Sequence, residues 1–171
     1  MKNRAHFSVY GSICATDWSI IQRVVRRSIQ RIVVVGSTGA GKTTLSATLG
    51  KRLGLRHIEL DASHWDAGWT PAPDDVFRAR TSAALAEADR WVVDGNYRAV
   101  RDLVWSQADT LIWLDYGLPL LLFRVLRRTL VRVFRRHELW NGNREDWRSQ
   151  FFSRDSLFLW LITTHGRRRR E

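Results

Sequence analysis

The segment Gly36-Ser37-Thr38-Gly39-Ala40-Gly41-Lys42-Thr43 decides the fold of this chain, because its spacing is G-x-x-x-x-G-K-[ST]. The β-branched run 32–35 leads into it, and a helical pattern over 42–53, ended by Gly54, leads out of it. The glycines permit backbone angles that present successive N–H groups to an anion. The following helix directs its positive N-terminal end at the same point. The sequence therefore predicts a phosphate-binding loop, or P-loop.

The residue types of this loop indicate which groups of a nucleoside triphosphate they contact. Lys42 is expected to reach the β- and γ-phosphates, and the Thr43 hydroxyl is expected to bind Mg²⁺. The motif suits ATP and leaves GTP open. The residues expected to contact the nucleotide here are Gly36, Ser37, Thr38, Gly39, Ala40, Gly41, Lys42, Thr43 and Thr44.

The remainder of the chain alternates between strand and helix patterns. Further strands are predicted at 57–60, 91–93 and 110–114, and helices at 74–89, 97–107, 118–136 and 154–164. The segment 61–73 is predicted to be a loop. Strands separated by helices imply a parallel sheet with helices on both faces. We therefore predict a three-layer α/β P-loop NTPase fold with four strands, and we find no pattern for a fifth strand.

Composition and length bound the domain organisation. The chain has 171 residues, of which 44% are hydrophobic, and this suits one domain over 31–171 preceded by an extension, 1–30, that is disordered or a short helix. Cys14 is the one cysteine, which excludes an internal disulfide and favours a cytoplasmic location. The longest apolar run, 118–123, is too short to span a membrane. The net charge of +11 favours anionic partners.

Two further patterns suggest groups that act on phosphate. Asp94 ends the third predicted strand, where P-loop enzymes place a carboxylate on the magnesium side of the nucleotide. A strand-end cap is the alternative reading of Asp94. Arginines recur every fourth residue from Arg124 and Arg128 onward, with Leu122, Val125 and Leu126 expected on the buried side. Such an arginine face suits bidentate binding of phosphate, or a surface that contacts nucleic acid or membrane.

The segment Asp94-Gly95-Asn96-Tyr97-Arg98 resembles the Asp-Gly-aromatic-Pro-Arg segment of adenylate kinases. The resemblance implies that Asp94 acts near Mg²⁺ and that Arg98 holds a phosphate of the acceptor. Asn96-Tyr97 departs from the aromatic-Pro pair. In the same class, Arg124 and Arg128 resemble the arginines that clamp the transferring phosphoryl group.

Asp61, at the end of the second predicted strand, is similar to the residue that holds the acceptor hydroxyl in shikimate- and gluconate-type kinases. A carboxylate there orients that hydroxyl or accepts its proton. Adenylate kinases usually carry Thr-Gly in this region, so Asp61 argues against simple AMP binding. A solvated or capping aspartate is the alternative.

The segment 139–145, Leu-Trp-Asn-Gly-Asn-Arg-Glu, lies where such kinases have a lid, here about 137–155. Arg144 and Arg154 are expected to reach the triphosphate when the lid closes. Over about 30–170 the chain resembles the adenylate-kinase-like and topology modulation proteins. This implies a magnesium- and ATP-dependent kinase with a small-molecule or nucleotide acceptor. The alternatives are a nucleic-acid-associated NTPase or regulator, and a truncated nucleotide binder without catalysis.

Overall fold

The computed structural model describes residues 29–134 and 140–142, which form a three-layer α/β fold. The strands are β1 (Arg31–Gly36), β2 (Arg56–Glu59), β3 (Trp65–Asp66), β4 (Thr70–Pro71), β5 (Trp91–Asp94) and β6 (Thr110–Leu114). The α-helices are α1 (Lys42–Leu53), α2 (Leu60–His64), α3 (Asp74–Ala86), α4 (Arg101–Trp105) and α5 (Leu118–Phe134). Short 3-10 turns lie at Ala67–Trp69, Arg98–Val100 and Trp140–Gly142.

The main sheet has four parallel strands, as the sequence predicted, and their order is β2-β5-β1-β6. Strand β1 is central, and its β-branched run 32–35 is buried on both faces. Arg31 pairs with Trp91 and Val34 with Asp94, so β5 ends beside Val34, two residues before the end of β1. This order puts Asp94 directly beside the strand that leads into the P-loop.

Two hydrophobic clusters lie on opposite faces of this sheet. On one face Val34 and Val92 pack with Leu49 of α1 and Val125 of α5. On the other face Val33, Val93 and Val100 pack with Phe77 of α3, and Trp91 is fully buried there. Alternate residues of each strand point to opposite faces, which explains how adjacent valines enter different clusters. The helices α1 and α5 thus share one layer, and α3 and α4 form the other.

The structure corrects the prediction that 61–73 is an irregular loop. Strand β2 ends at Glu59, and the chain turns at once into the short helix α2, so Asp61 lies in a helix. The antiparallel pair β3–β4 follows. Arg80 of α3 binds Asp66 of this pair, at 2.8 Å, and donates to the Ser63 carbonyl of α2. The segment 61–73 is therefore folded, and Arg80 joins it to α3.

The exposed face of α5 also differs from the prediction. Val125 is fully buried, as expected, but Leu126 is 38% exposed, and it is joined on the surface by Leu120, Phe123 and Leu130. These positions recur at helical spacing on the side away from the sheet. Over the described part of α5, the outward face is mainly apolar, and Arg124 and Arg128 lie between this face and the core.

Candidate functional site

The P-loop joins β1 to α1 at the carboxyl end of the sheet. The Ala40 N–H donates to the Ser37 carbonyl at 3.1 Å, which closes a tight turn inside the loop. Gly39 has a φ of +79°, and a Cβ there would lie 2.7 Å from Cγ2 of Val125 and 3.0 Å from the Leu121 carbonyl oxygen. The loop therefore lies directly on α5, and only glycine fits at this contact.

Lys42 is the first residue of α1, and its Nζ donates to the Ser37 carbonyl at 3.1 Å. The ammonium group is thus held at the mouth of the loop. Thr43 and Thr44 follow in the first turn and are exposed. No side chain caps the N-terminus of this helix. The first N–H groups of α1 are consequently oriented to bind an anion at the place where Lys42 supplies positive charge.

Arg124 lies on α5 next to Val125, which contacts Gly39 of the P-loop. Its guanidinium carbon is 4.6 Å from the ring centroid of Tyr116, a side chain that is 7% exposed. A cation over an aromatic face is held by the ring's negative surface. Arg128 follows one turn later and is half-buried. The structure therefore brings the helix that carries Arg124 and Arg128 against the P-loop.

Asp94 ends β5 on the face of the sheet that α1 covers, since it pairs in register with Val34. Its side chain is 5% exposed, and Oδ1 lies 3.3 Å from Nε2 of His57 on β2. The other ring nitrogen of His57 is 4.0 Å from the Glu59 carboxylate. A buried carboxylate needs such a partner, because burial disfavours its charge. His57 is a site residue that the sequence did not predict.

The residues at this place suit a magnesium ion that is bound together with a nucleotide. Mg²⁺ is usually held by one or two carboxylates, substrate phosphates and waters, so Asp94 and the Thr43 hydroxyl form a suitable set. Ser46, which follows Thr43 by one turn of α1, is fully buried, and its hydroxyl has no hydrogen-bond partner in the part of the chain that the structure describes. Among the described residues, no cluster of three or more His, Cys, Asp or Glu forms a site for a metal by itself.

Asp61 lies at the carboxyl end of the sheet, on the face opposite to the one that Asp94 and α1 share. Tyr97, which follows β5, donates a hydrogen bond from its hydroxyl to Asp61 Oδ1 at 2.5 Å. The Tyr97 ring packs against Phe77, with centroids 5.2 Å apart, and belongs to the cluster on that face. Asp61 and Asp94 therefore lie at the same edge of the sheet, on opposite faces. The bond to Tyr97 links residues 36 positions apart and was not predicted.

His64 completes an aromatic group around Asp61. Its ring lies 4.5 Å from Tyr97, 5.0 Å from Phe77 and 4.8 Å from Trp65, measured between centroids. Burial lowers the pKa of His64 below its ordinary value, although the negative charges of Asp61 and Asp74 act in the other direction. The imidazole is therefore neutral at pH 7.

The turn at 140–142 contacts this same region. Asn141, with a φ of +55°, donates from Nδ2 to the Trp65 carbonyl at 2.6 Å. Within the described part of the chain, the Asn-Gly turn of the expected lid thus meets the β3 end of the β3–β4 pair. Arg98 is exposed and begins a 3-10 turn just after Tyr97. The expected nucleotide contacts Arg144 and Arg154, most of the lid over 137–155 and most of the extension 1–30 lie outside the described residues.

No family model matches the chain. A curated relative, an adenylate kinase of Haloarcula marismortui, is 36% identical over 85 residues. That match covers 38% of this chain and 39% of that protein, so it spans about two fifths of the relative.

Solved structures give a longer match. A gluconokinase from Sinorhizobium meliloti 1021 superimposes with a TM-score of 0.51 at 24% identity, over 81% of this chain and 76% of that one. A shikimate kinase from Bacteroides thetaiotaomicron gives a TM-score of 0.49 at 18% identity, over 83% and 81%. No helix within the described ranges is long and apolar enough to cross a membrane. Together with the sheet order and the P-loop geometry, the gluconokinase match shows that the chain has the fold of a P-loop kinase.

Proposed function

We propose that the chain is an ATP-dependent phosphotransferase of the nucleoside-monophosphate-kinase type, which transfers the γ-phosphoryl group to a small-molecule or nucleotide acceptor. The observation that carries the proposal is the placement of two carboxylates at one sheet edge with the P-loop. Asp94 lies on the face of α1, and Asp61 lies on the opposite face with Tyr97 and His64. An enzyme that only hydrolyses ATP has no need of the second group.

The proposed reaction is an in-line transfer in which charge develops on the transferred group. The backbone N–H groups of the P-loop and the Lys42 ammonium bind the phosphates. Arg124 and Arg128 approach from α5 and stabilise the negative charge. Thr43 and Asp94 would hold Mg²⁺, which neutralises phosphate charge when bound. Each of these groups acts by position and charge, so the protein needs no covalent intermediate.

Asp61 is proposed to bind the hydroxyl that receives the phosphoryl group. Tyr97 already donates to one carboxylate oxygen, which leaves the second oxygen to accept a hydrogen bond from the acceptor. The hydrogen bond to Tyr97 also fixes the orientation of the carboxylate. We therefore assign Asp61 mainly the orientation of the hydroxyl, and Arg98, exposed beside Tyr97, the binding of an anionic group of the acceptor.

The names of the similar proteins support this reaction class. The aligned relative is named an adenylate kinase, and the neighbour that supports the fold is named a gluconokinase. The alternative of a nucleic-acid-associated NTPase rests on the charge of +11 and the arginine helix. The outward face of α5 is mainly apolar where it is described, which weakens that alternative.

The test measures consumption of ATP and, separately, of GTP with Mg²⁺ over a panel of acceptors. The panel contains AMP, other nucleoside monophosphates and small hydroxy acids and sugars. Lys42→Ala and Asp61→Asn are compared with the unchanged chain. Asp66→Asn serves as the matched control, because Asp66 is an aspartate of the same region that pairs with Arg80.

We expect transfer to one acceptor, a loss of at least about 100-fold in kcat for Lys42→Ala and Asp61→Asn, and little change for Asp66→Asn. Nucleotide binding without transfer to any acceptor would reject the kinase proposal and favour a non-catalytic nucleotide binder. An equal loss in Asp61→Asn and Asp66→Asn would reject the role of Asp61. Stimulation of ATP hydrolysis by DNA or RNA would instead favour the nucleic-acid alternative.

A further inference from the structure

We propose that His57 is a positioning residue, which holds the Asp94 carboxylate in the orientation needed for the Mg²⁺ of a bound nucleotide. The inference rests on the proposed nucleotide site and assigns a role to a residue of β2, the edge strand next to β5. It does not depend on the identity of the phosphoryl acceptor.

The register of the sheet puts the two side chains on one face. His57 pairs with Val92, and Asp94 follows Val92 by two residues, so His57 and Asp94 are diagonal neighbours. Val92 belongs to the cluster beneath α1. A Cβ added to Gly50 of α1 would lie 3.4 Å from Cβ of His57, which shows how closely the helix covers this histidine. Both groups therefore lie below the helix that carries Lys42 and Thr43.

The position of His57 and Asp94 along α1 shows how far they lie from the P-loop. Gly50 lies over His57 and Val92, and Ser46 precedes it by one turn, toward the N-terminus of α1. One turn of helix rises about 5.4 Å, close to the length of two strand residues. Ser46 is thus level with Asp94, and the first turn with Thr43 lies beyond it. The Ser46 hydroxyl is fully buried at this level, and it has no hydrogen-bond partner among the described residues.

The hydrogen bond fixes which oxygen of Asp94 is available. Oδ1 lies 3.3 Å from His57 Nε2, so this ring nitrogen carries the donated proton, and Oδ2 is left for other partners. The side chains are 19% exposed for His57 and 5% for Asp94, so water does not readily replace the imidazole. Partners behind a metal-binding carboxylate commonly change metal affinity by about 10–100-fold when they are altered.

The test measures ADP affinity by calorimetry, with and without Mg²⁺. The ratio of the two dissociation constants gives the Mg²⁺-dependent gain. His57→Gln places an amide N–H near the position of Nε2, whereas the shorter His57→Asn does not reach it. The two variants are otherwise alike in polarity, and His57 is on an edge strand, so both are suited to fold. Asp94→Asn gives the gain expected when the carboxylate is lost, and thermal unfolding of each variant reports its stability.

We expect His57→Gln to keep most of the Mg²⁺-dependent gain and His57→Asn to lose about tenfold of it. ADP affinity without Mg²⁺ should be unchanged in both, because the P-loop N–H groups are intact. An equal gain in the two His57 variants would overturn the proposal, as would an unchanged gain in Asp94→Asn. If the unchanged chain binds no ADP, the nucleotide site itself fails. If the unchanged chain transfers phosphoryl groups but the His57 variants keep the full Mg²⁺-dependent gain, the role of His57 is rejected and the proposed function stands.

Discussion

Gly95 follows Asp94 at the point where the chain leaves β5 and passes toward Tyr97. It has a φ of +134°, and it is buried against Leu60, the first residue of α2. A Cβ at this position would lie 2.8 Å from Cβ of Leu60. This glycine therefore allows the segments that carry Asp94 and Asp61 to approach each other at the sheet edge.

We expect Gly95→Ala to lower the free energy of unfolding by about 2–3 kcal/mol, because it combines an unfavourable φ with a steric overlap. Gly54→Ala is the matched control. Gly54 also has a positive φ, +64°, but a Cβ there would have no atom within 4 Å. The control should cost about 1–2 kcal/mol, for the backbone conformation alone. Urea denaturation measures both, and equal losses would show that the contact with Leu60 does not limit this position.

Among the elements, the predictions were most accurate where the sequence signal is local. The bounds of α1 match the prediction because Lys42 follows the P-loop turn and Gly54 ends the helix in a left-handed conformation. Strand β6 also has its predicted bounds. Both signals depend on residues that adjoin the element, so no knowledge of the tertiary structure was needed.

The site was only partly predictable, because several of its contacts join distant residues. The P-loop, Asp94 and Asp61 follow from motif and strand ends, whereas α2 was missed since its five residues are too few to show a helical period. His57 resembles any polar residue of an edge strand until its register with Val92 is known. Leu126 was assigned to the core because hydrophobicity alone does not specify which face of α5 meets the sheet.

The link between α3 and α4 gives a prediction for acid stability. Arg78 binds Asp102 through two hydrogen bonds of 2.8 Å and also donates to the Ala99 carbonyl. The arginine lowers the pKa of Asp102 from an ordinary 3.8 to about 2. A lowered carboxylate pKa stabilises the fold above the unfolded value, and this contribution is lost as pH falls from about 4 through about 2. The effect is modest, because both side chains are well exposed.

Asp102→Asn should therefore reduce stability at pH 7 slightly and should flatten the fall in stability between about pH 4 and 2. Glu87→Gln is a suitable comparison, because Glu87 forms an exposed ion pair with Arg56 on a different part of the surface. Thermal unfolding across this pH range measures the slope. The same slope in Asp102→Asn and the unchanged chain would contradict the assignment of the low pKa to the pair with Arg78.

The molecule as a unit should be stabilised by the ligand that its P-loop binds. A nucleotide that binds the folded chain alone adds about 2.7 kcal/mol to stability at 100 times its Kd. We expect Mg²⁺-ATP to raise the melting temperature in proportion to the logarithm of its concentration. Lys42→Ala should remove most of this increase while it changes the melting temperature without ligand little, because the Lys42 side chain is only partly buried. Equal increases in both proteins would show that the stabilising ligand does not use the P-loop.

The order of strands in the main sheet has a consequence for how the chain folds. Strand β1 lies next to β5 and β6 in the sheet, but both of these partners come much later in the sequence. Arg31, for example, pairs with Trp91. No two consecutive strands of this sheet are joined by a hairpin, so long loops must close before the first ladder forms. Such a topology makes folding slow. During synthesis the apolar run of β1 emerges early and has no strand partner until the ribosome has passed β5, which exposes it to mispairing and to chaperones.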